Sequence, residues 1–249
     1  MSLTITVEHL AAIAGRTTLL MPDLVEWLNR LCPLYEIDLS QEYCHFLAQA
    51  CHETDHFKTL REYASGNAYE GRQDLGNTQP GDGVRFKGRG IFQTTGRANY
   101  LELGIKKGRR DMFVDNPELL DQPEYAVWSA YEYWKTRGLN DIANHADSDI
   151  LKKKHKGAVL DLSPVEYISY RVNGGNRGLD ERKKFYSIAQ RVLTEPAAPR
   201  LVRGRALVRK RTKKRNPSIK RTSTRSRRKL GRASSASRAK SARASHGKR

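Results

Sequence analysis

The feature that most limits what this 249-residue chain can fold into is the partition of its charge. From Ala197 to Arg249 there are 21 Lys and Arg and no Asp or Glu. That stretch carries +21 against +19 for the whole chain, so the first 196 residues are net −2. All three Trp, eleven Tyr and six Phe also lie before residue 197. A segment without aromatic side chains and with unopposed positive charge buries too little apolar surface to offset the entropy of ordering it. Two parts are therefore expected: a folded domain over 1–196 and a disordered basic tail over 197–249. The sequence pI near 10.0 describes the tail and not the domain.

No run of roughly 18 apolar residues is present, so no transmembrane helix is expected. The start, MSLTITVEHLAAIAG, has no basic n-region and is a poor secretory signal. Synthesis in a host cytoplasm is expected, with action in the periplasm or cell wall after release. Three cysteines are too few for a disulfide framework. Cys44 and Cys51 would be roughly 10 Å apart by helical rise, beyond disulfide reach. Three buried, reduced thiols are expected.

Helical periodicity covers Val7 to Ile13, Met21 to Leu31 and Ser40 to Phe57, with Ser40 as an N-cap ahead of Gln41 and Glu42. It returns over Gly96 to Leu103, Pro123 to Thr136, a turn or two at Ile150 to Lys156, Pro164 to Tyr170, and Leu179 to Leu193. Between Ala64 and Gly90 the composition shifts to Gly, Asn, Asp and Gln. A long irregular segment of this kind, with room for a small hairpin, is usually functional. The fold class is mainly α with a Gly-rich loop or small hairpin insertion. The Trp- and Tyr-rich stretch 125–134 reads as core before it reads as a sugar platform.

Phe46, Ala50, Glu53 and Phe57 follow helical spacing, so a carboxylate interrupts an apolar stripe. Burial disfavours its ionised form, which suits a general acid. A plainer reading pairs Glu53 at the stripe edge with Arg61 or His56. Glu62 lies nine residues on; a continuous helix would put it on the opposite face, over roughly 13 Å away. The two share a site only if the helix ends between them and the chain turns back. Two carboxylates across a cleft, one protonated and one ionised, are what inverting glycoside hydrolysis requires. Glu70 and Asp74 are rival second carboxylates. In the segment Gly88 to Tyr100, Gln93, Thr95 and Asn99 carry amides and a hydroxyl suited to sugars or a held water. Gly88-Arg89-Gly90 lacks the strand context of a nucleotide fingerprint. Seven scattered His suggest neither a metal site nor a cofactor. Cys51 and His52, adjacent on a helix, diverge by about 100° and form no nucleophile pair.

Taken together these segments resemble glycoside hydrolase family 19, in its phage and prophage endolysin branch. Phe46 to Glu53 is similar to the helix that ends in the family's His-Glu pair, and Glu62 to the second acid after eight intervening residues. Glu62-Tyr63-Ala64-Ser65-Gly66, Tyr69 to Arg72, Asp74 to Asn77 and Gly81 to Gly90 resemble its substrate loop. Gln93, Thr95 and Asn99 are similar to its Gln-x-Ser/Thr segment, and Asn173-Gly174-Gly175 with Glu181-Arg182 to late elements lining the cleft. Ala64 stands where relatives often carry Thr, and Glu181 where they carry Asp. The resemblance spans roughly residues 5–195 and implies a lysozyme-like α-helical domain. It further implies Glu53 as general acid and Glu62 as general base, with Ser65, Gln93, Thr95, Asn99, Asn173 and Arg182 binding substrate.

The expected activity is cleavage of β-1,4 bonds in peptidoglycan by a monomer. The alternatives are a chitinase, or a non-catalytic glycan- or polyanion-binding protein. The tail is expected to bind polyanions by counterion release. An anionic envelope surface, lipopolysaccharide or membrane lipid, is favoured, through a basic amphipathic stretch at Arg200 to Arg215. Nucleic acid is the other candidate, without aromatics to stack bases.

Overall fold

The computed structural model describes residues 3–37 and 39–193. The tail at 197–249, expected as disordered, and its basic stretch at Arg200 to Arg215 lie outside the described residues.

Ten α-helices and one hairpin follow in order among the described residues: α1 (Val7–Ala14), α2 (Met21–Leu31), α3 (Ser40–Glu53), α4 (Asp82–Arg85), α5 (Arg97–Lys106), α6 (Met112–Asp115), α7 (Pro123–Thr136), α8 (Leu139–Ala143), β1 (Leu151–His155), β2 (Ala158–Leu162), α9 (Pro164–Asn173) and α10 (Leu179–Leu193). The main core gathers α1, α2, α3, α7, α8, α9 and α10 around Phe46, Leu47, Tyr131, Trp134 and Phe185. A smaller cluster, Phe86, Tyr100, Leu103, Phe113, Leu120 and Trp128, seats the loop-rich half.

Helix α3 runs through the centre, and every residue from Glu42 to Cys51 is buried. The sequence suggested one apolar stripe; the helix is enclosed on all sides. Such enclosure normally demands an apolar helix all round, so its buried polar residues need partners. Gln49 has them, as described below; His45 has none for either ring nitrogen. Ser40 is the first helical residue and not the cap. The helix start is satisfied instead by Glu42, whose carboxylate accepts from the Leu39 N–H at 3.0 Å.

The helix also ends earlier than its periodicity suggests. After Glu53 the residues Asp55, His56 and Phe57 take φ of 49°, 62° and 59°. Side-chain sterics make a left-handed run uncommon for residues with a Cβ. Thr54 holds it: its hydroxyl donates to the Ala50 carbonyl at 2.6 Å and accepts from the Phe57 N–H at 3.0 Å. Phe57, 1% exposed, anchors the reversed turn in the core. The chain then runs back so that the Gly90 N–H donates to Leu60 (2.8 Å) and the Glu62 N–H to Gly88 (2.9 Å).

The sequence reading differs from the structure in two further places. Residues 151–155 form the strand β1, paired antiparallel with β2, and not a helical turn. The Gly-rich segment holds short 3-10 turns and α4, with no named strand, so the hairpin lies elsewhere. Lys152, Lys153 and Lys154 in succession satisfy no helical face, and Gly157 at φ 83° supplies the turn. The three cysteines are free and buried. Burial pushes the Cys32 thiol up to about 11 and the Cys44 thiol to about 12.

Candidate active site

The end of α3 delivers Glu53 to a half-buried position, where its carboxylate meets a guanidinium. Arg182 of α10 is 2% exposed and donates from Nη2 to Glu53 Oε1. Its Nη1 donates to Gln49 Oε1, and Gln49 Nε2 donates to the Ser169 hydroxyl at 3.1 Å. Ser169 in turn donates to the Val165 carbonyl at 2.7 Å. A buried chain of hydrogen bonds thus sets the orientation of one Glu53 oxygen and leaves Oε2 without a hydrogen bond among the described residues. The plainer pairing does not occur: Arg61 pairs with Asp121 and His56 with Glu181. His52 Nδ1 also lies 2.6 Å from Glu181, so that carboxylate bridges the two histidines behind the site.

Glu62 is held by different elements. Tyr69 donates its hydroxyl to Oε1 at 2.8 Å, and the Gly88 N–H donates to Oε2 at 3.0 Å. Gly88 lies between Glu62 and Gln93. A Cβ there would lie 2.7 Å from Gln93 Oε1 and 3.1 Å from Glu62 Oε2, so the two polar groups crowd one backbone position. Gln93 takes a φ of 49° and donates from Nε2 to the Gly90 carbonyl at 2.9 Å. Its Oε1 is buried and accepts nothing among the described residues.

The rival carboxylates are otherwise engaged. Glu70 accepts from the N–H groups of Gly81 (2.7 Å) and Gly83 (2.8 Å), tying the start of α4 to the loop. Asp74 is exposed and paired with Arg72, which holds its carboxyl below the usual range.

A cleft of about 260 Å³ is lined on one side by Gln93, Thr95 and Asn99, and on the other by Ser129, Glu132, Tyr133 and Arg137 of the α7 region. Neither Glu53 nor Glu62 is part of this lining, although both border its residues. Gln93 crowds Glu62 across Gly88, while Glu53 and Arg182 act electrostatically on Tyr133. Thr95 donates to the Gln93 carbonyl at 2.9 Å and Asn99 to the Thr95 carbonyl at 2.6 Å, which fixes this wall internally. Ser65 is exposed, outside the lining, and caps the Asn67 N–H at 3.3 Å. Asn173 closes its own loop, donating to Arg177 (2.6 Å) and accepting from Gly175 (2.7 Å). Arg182 faces Glu53 and Gln49 and is closed off from solvent.

Sequence reasoning gave no individual role to Gln49, Tyr69, Tyr133 or Ser169. Gln49 had a signal, since it lies one turn before Glu53 on the same apolar stripe. Of the aromatic run, Trp128, Tyr131 and Trp134 are core, and Tyr133 reaches the cleft.

No family model matches the chain. A Haemophilus influenzae protein named glycosyl hydrolase family 19 domain-containing is 29% identical over 125 residues, half of this chain. The match spans 51% of that relative's length. Chitinase C from Streptomyces griseus HUT6037 superposes with a TM-score of 0.53 at 18% identity, covering 77% of this chain and 93% of that one. A class IV family 19 chitinase from Zea mays gives 0.54 at 15% identity, covering 78% and 96%. A bacterial family 19 chitinase gives 0.50 at 17%, covering 78% and 98%. This chain has the family 19 chitinase fold. The family 19 fold here is helix-rich and lysozyme-like. Among the described residues no helix is long and apolar enough to cross a membrane.

Proposed function

We propose that this protein is an inverting glycoside hydrolase of the endolysin type, cleaving β-1,4 bonds in peptidoglycan glycan strands. The observation that carries the reading is the separate mounting of two carboxylates. Glu53 is oriented by Arg182, and Glu62 sits beside the unpartnered Gln93 Oε1.

In this reading Glu53 donates its proton from Oε2 to the glycosidic oxygen as the bond to the anomeric carbon breaks. Negative charge develops on Glu53 in that step, and Arg182 is already in place to stabilise it. Glu62 accepts a proton from the attacking water through a lone pair not used by Tyr69 or Gly88. Gln93 Oε1 accepts the water's second hydrogen. Attack from the face opposite the leaving group inverts the anomeric centre. Thr95 and Asn99 contact sugar along the cleft wall. Ser65, Asn173 and Arg182 support loop and acid geometry.

The names of the solved relatives favour a second reading, chitin as substrate. Chitin and peptidoglycan both present β-1,4-linked N-acetylglucosamine. The decisive experiment treats purified Gram-negative murein with wild type and Glu53→Gln and follows new reducing ends by mass spectrometry. Release by the wild type alone supports the proposal. Equal release by both rejects Glu53, and release only from chitin shifts the substrate.

The basic segment 197–249 fits a polyanion partner in this setting, with the anionic envelope surface ahead of nucleic acid.

A further inference from the structure

The cleft wall formed by α7 carries positive charge that the two-carboxylate mechanism does not use. Arg137 places its guanidinium carbon 3.5 Å from the centroid of the Tyr133 ring, within the cleft lining. Arg171 of α9 lies beside it, donating from Nη2 to the Arg137 carbonyl at 3.1 Å. The Tyr133 hydroxyl locks the pair of elements together, bonding the carbonyls of Arg171 (3.1 Å) and Val172 (3.0 Å). Arg137 and Arg171 are both exposed, and neither forms an ion pair among the described residues.

The other charges of the lining are committed. Glu102 pairs with Lys106 at 3.0 Å, and Glu132 accepts from the Tyr35 hydroxyl at 2.6 Å. Tyr133 itself feels both guanidiniums, together with Arg182 and Glu53; burial nevertheless raises its hydroxyl above the ordinary phenol value. The charge at this end of the cleft that no ion pair among the described residues uses is therefore the Arg137 guanidinium in the lining, with Arg171, tied through Nη2 to the Arg137 carbonyl, next to it. Stacking on an aromatic face keeps a guanidinium planar and leaves its N–H edge free for a carboxylate.

We propose that Arg137 and Arg171 form a recognition point for a carboxylate borne on the glycan, namely the lactyl-peptide substituent of muramic acid. This rests on the peptidoglycan reading above and gives it a specificity element. An unsubstituted N-acetylglucosamine polymer carries no anion for these arginines. A bidentate guanidinium–carboxylate contact is stronger than a neutral hydrogen bond and more directional than a lysine contact.

The test measures KM of the full chain on soluble, uncrosslinked murein strands that retain stem peptides, and on the same strands after carbodiimide amidation of their carboxyl groups. Wild type, Arg137→Gln, Arg171→Gln and the double variant are compared, with melting temperature as a check of folding. The double variant is expected to raise KM about tenfold on native strands, and amidation to raise the wild-type KM to a similar level. Amidation should then leave little difference between wild type and variant. Equal KM for all four proteins on native strands overturns the arginine assignment while leaving peptidoglycan hydrolysis intact. Absence of any reducing-end release by the wild type from native strands overturns the peptidoglycan reading and this inference with it. Arg137→Lys is measured as a fifth protein: loss equal to that of Arg137→Gln supports bidentate recognition, and full retention overturns that geometry.

Discussion

Arg182 reaches across 129 positions of sequence to hold Glu53, and it does so as one arm of a fork whose other arm holds Gln49. The Glu53 carboxylate is thereby oriented by α10. Both Gln49 and Glu53 sit on α3, one turn apart, so a planar guanidinium can engage both.

Arg182→Lys is expected to keep the charge and lose the fork. Turnover should fall on the order of 10²-fold, the scale of an acid displaced by about an ångström. Stability should fall by about 2 kcal/mol, since a buried charge-assisted pair is lost. Reducing-end assays and urea melts check both. Normal turnover with lowered stability would make Arg182 a structural residue only.

Glu62→Gln is expected to reduce turnover by about 10²-fold or more, because the amide cannot take the proton. Its carbonyl oxygen still accepts from Tyr69 or Gly88, so the melting temperature should change little. Gly88→Ala should also lower turnover, through a Cβ placed 2.7 Å from Gln93 Oε1. If Glu62→Gln retains activity, the base must be sought elsewhere, and Glu70 is tied to Gly81 and Gly83.

His45 is fully buried, stacked on Tyr186 at 4.1 Å, and has no hydrogen-bond partner for either nitrogen. Burial lowers it from 6.5 to about 4. The unfolded chain therefore takes up a proton that the folded chain refuses between these values. Stability is fully present above pH 6.5 and is lost as pH falls toward 4. The loss should reach about 3 kcal/mol at the low end. His45→Phe, which preserves the stack, should flatten that acid limb. An unchanged slope between the two proteins would place the acid sensitivity on other groups.

Removal of residues 197–249 takes away +21 and leaves −2. The shortened protein is expected to melt like the full chain and to cleave soluble strands equally well. It should lose binding to anionic vesicles and to lipopolysaccharide. Binding by the full chain should fade with salt, since the screening length falls from about 10 Å at 0.1 M to about 3 Å at 1 M. Identical vesicle binding by both would move the tail's partner to nucleic acid.

Helices with strong periodicity and local start signals were legible before any coordinates. Met21–Leu31, Pro123–Thr136 and Leu179–Leu193 agree at both ends, and Pro at the first turns of the first two marks their starts. The end of α3 was not legible, because Phe57 continues the spacing while its backbone is left-handed. That reversal depends on Thr54 bonding Ala50 and Phe57, and on the core receiving the Phe57 ring. The hairpin at 151–162 was missed because a five-residue run carries too little pattern to separate strand from helical turn.

The residues alone marked Glu53, since one carboxylate on an apolar stripe is a local signal. They also marked the Gly88–Tyr100 segment by its composition, and the change of charge after residue 196. They left Glu62, Glu70 and Asp74 as equals. Only the tertiary structure shows their different surroundings: Glu70 is tied to Gly81 and Gly83, Asp74 is paired with Arg72, and Glu62 lies beside Gly88 and Gln93. It alone turned Arg182 inward to Glu53 and laid Arg137 over Tyr133. Helix and boundary signals repeat along the chain and can be read from neighbours. A contact between residues 129 apart has no local signature, because its geometry is set by how α3 and α10 pack.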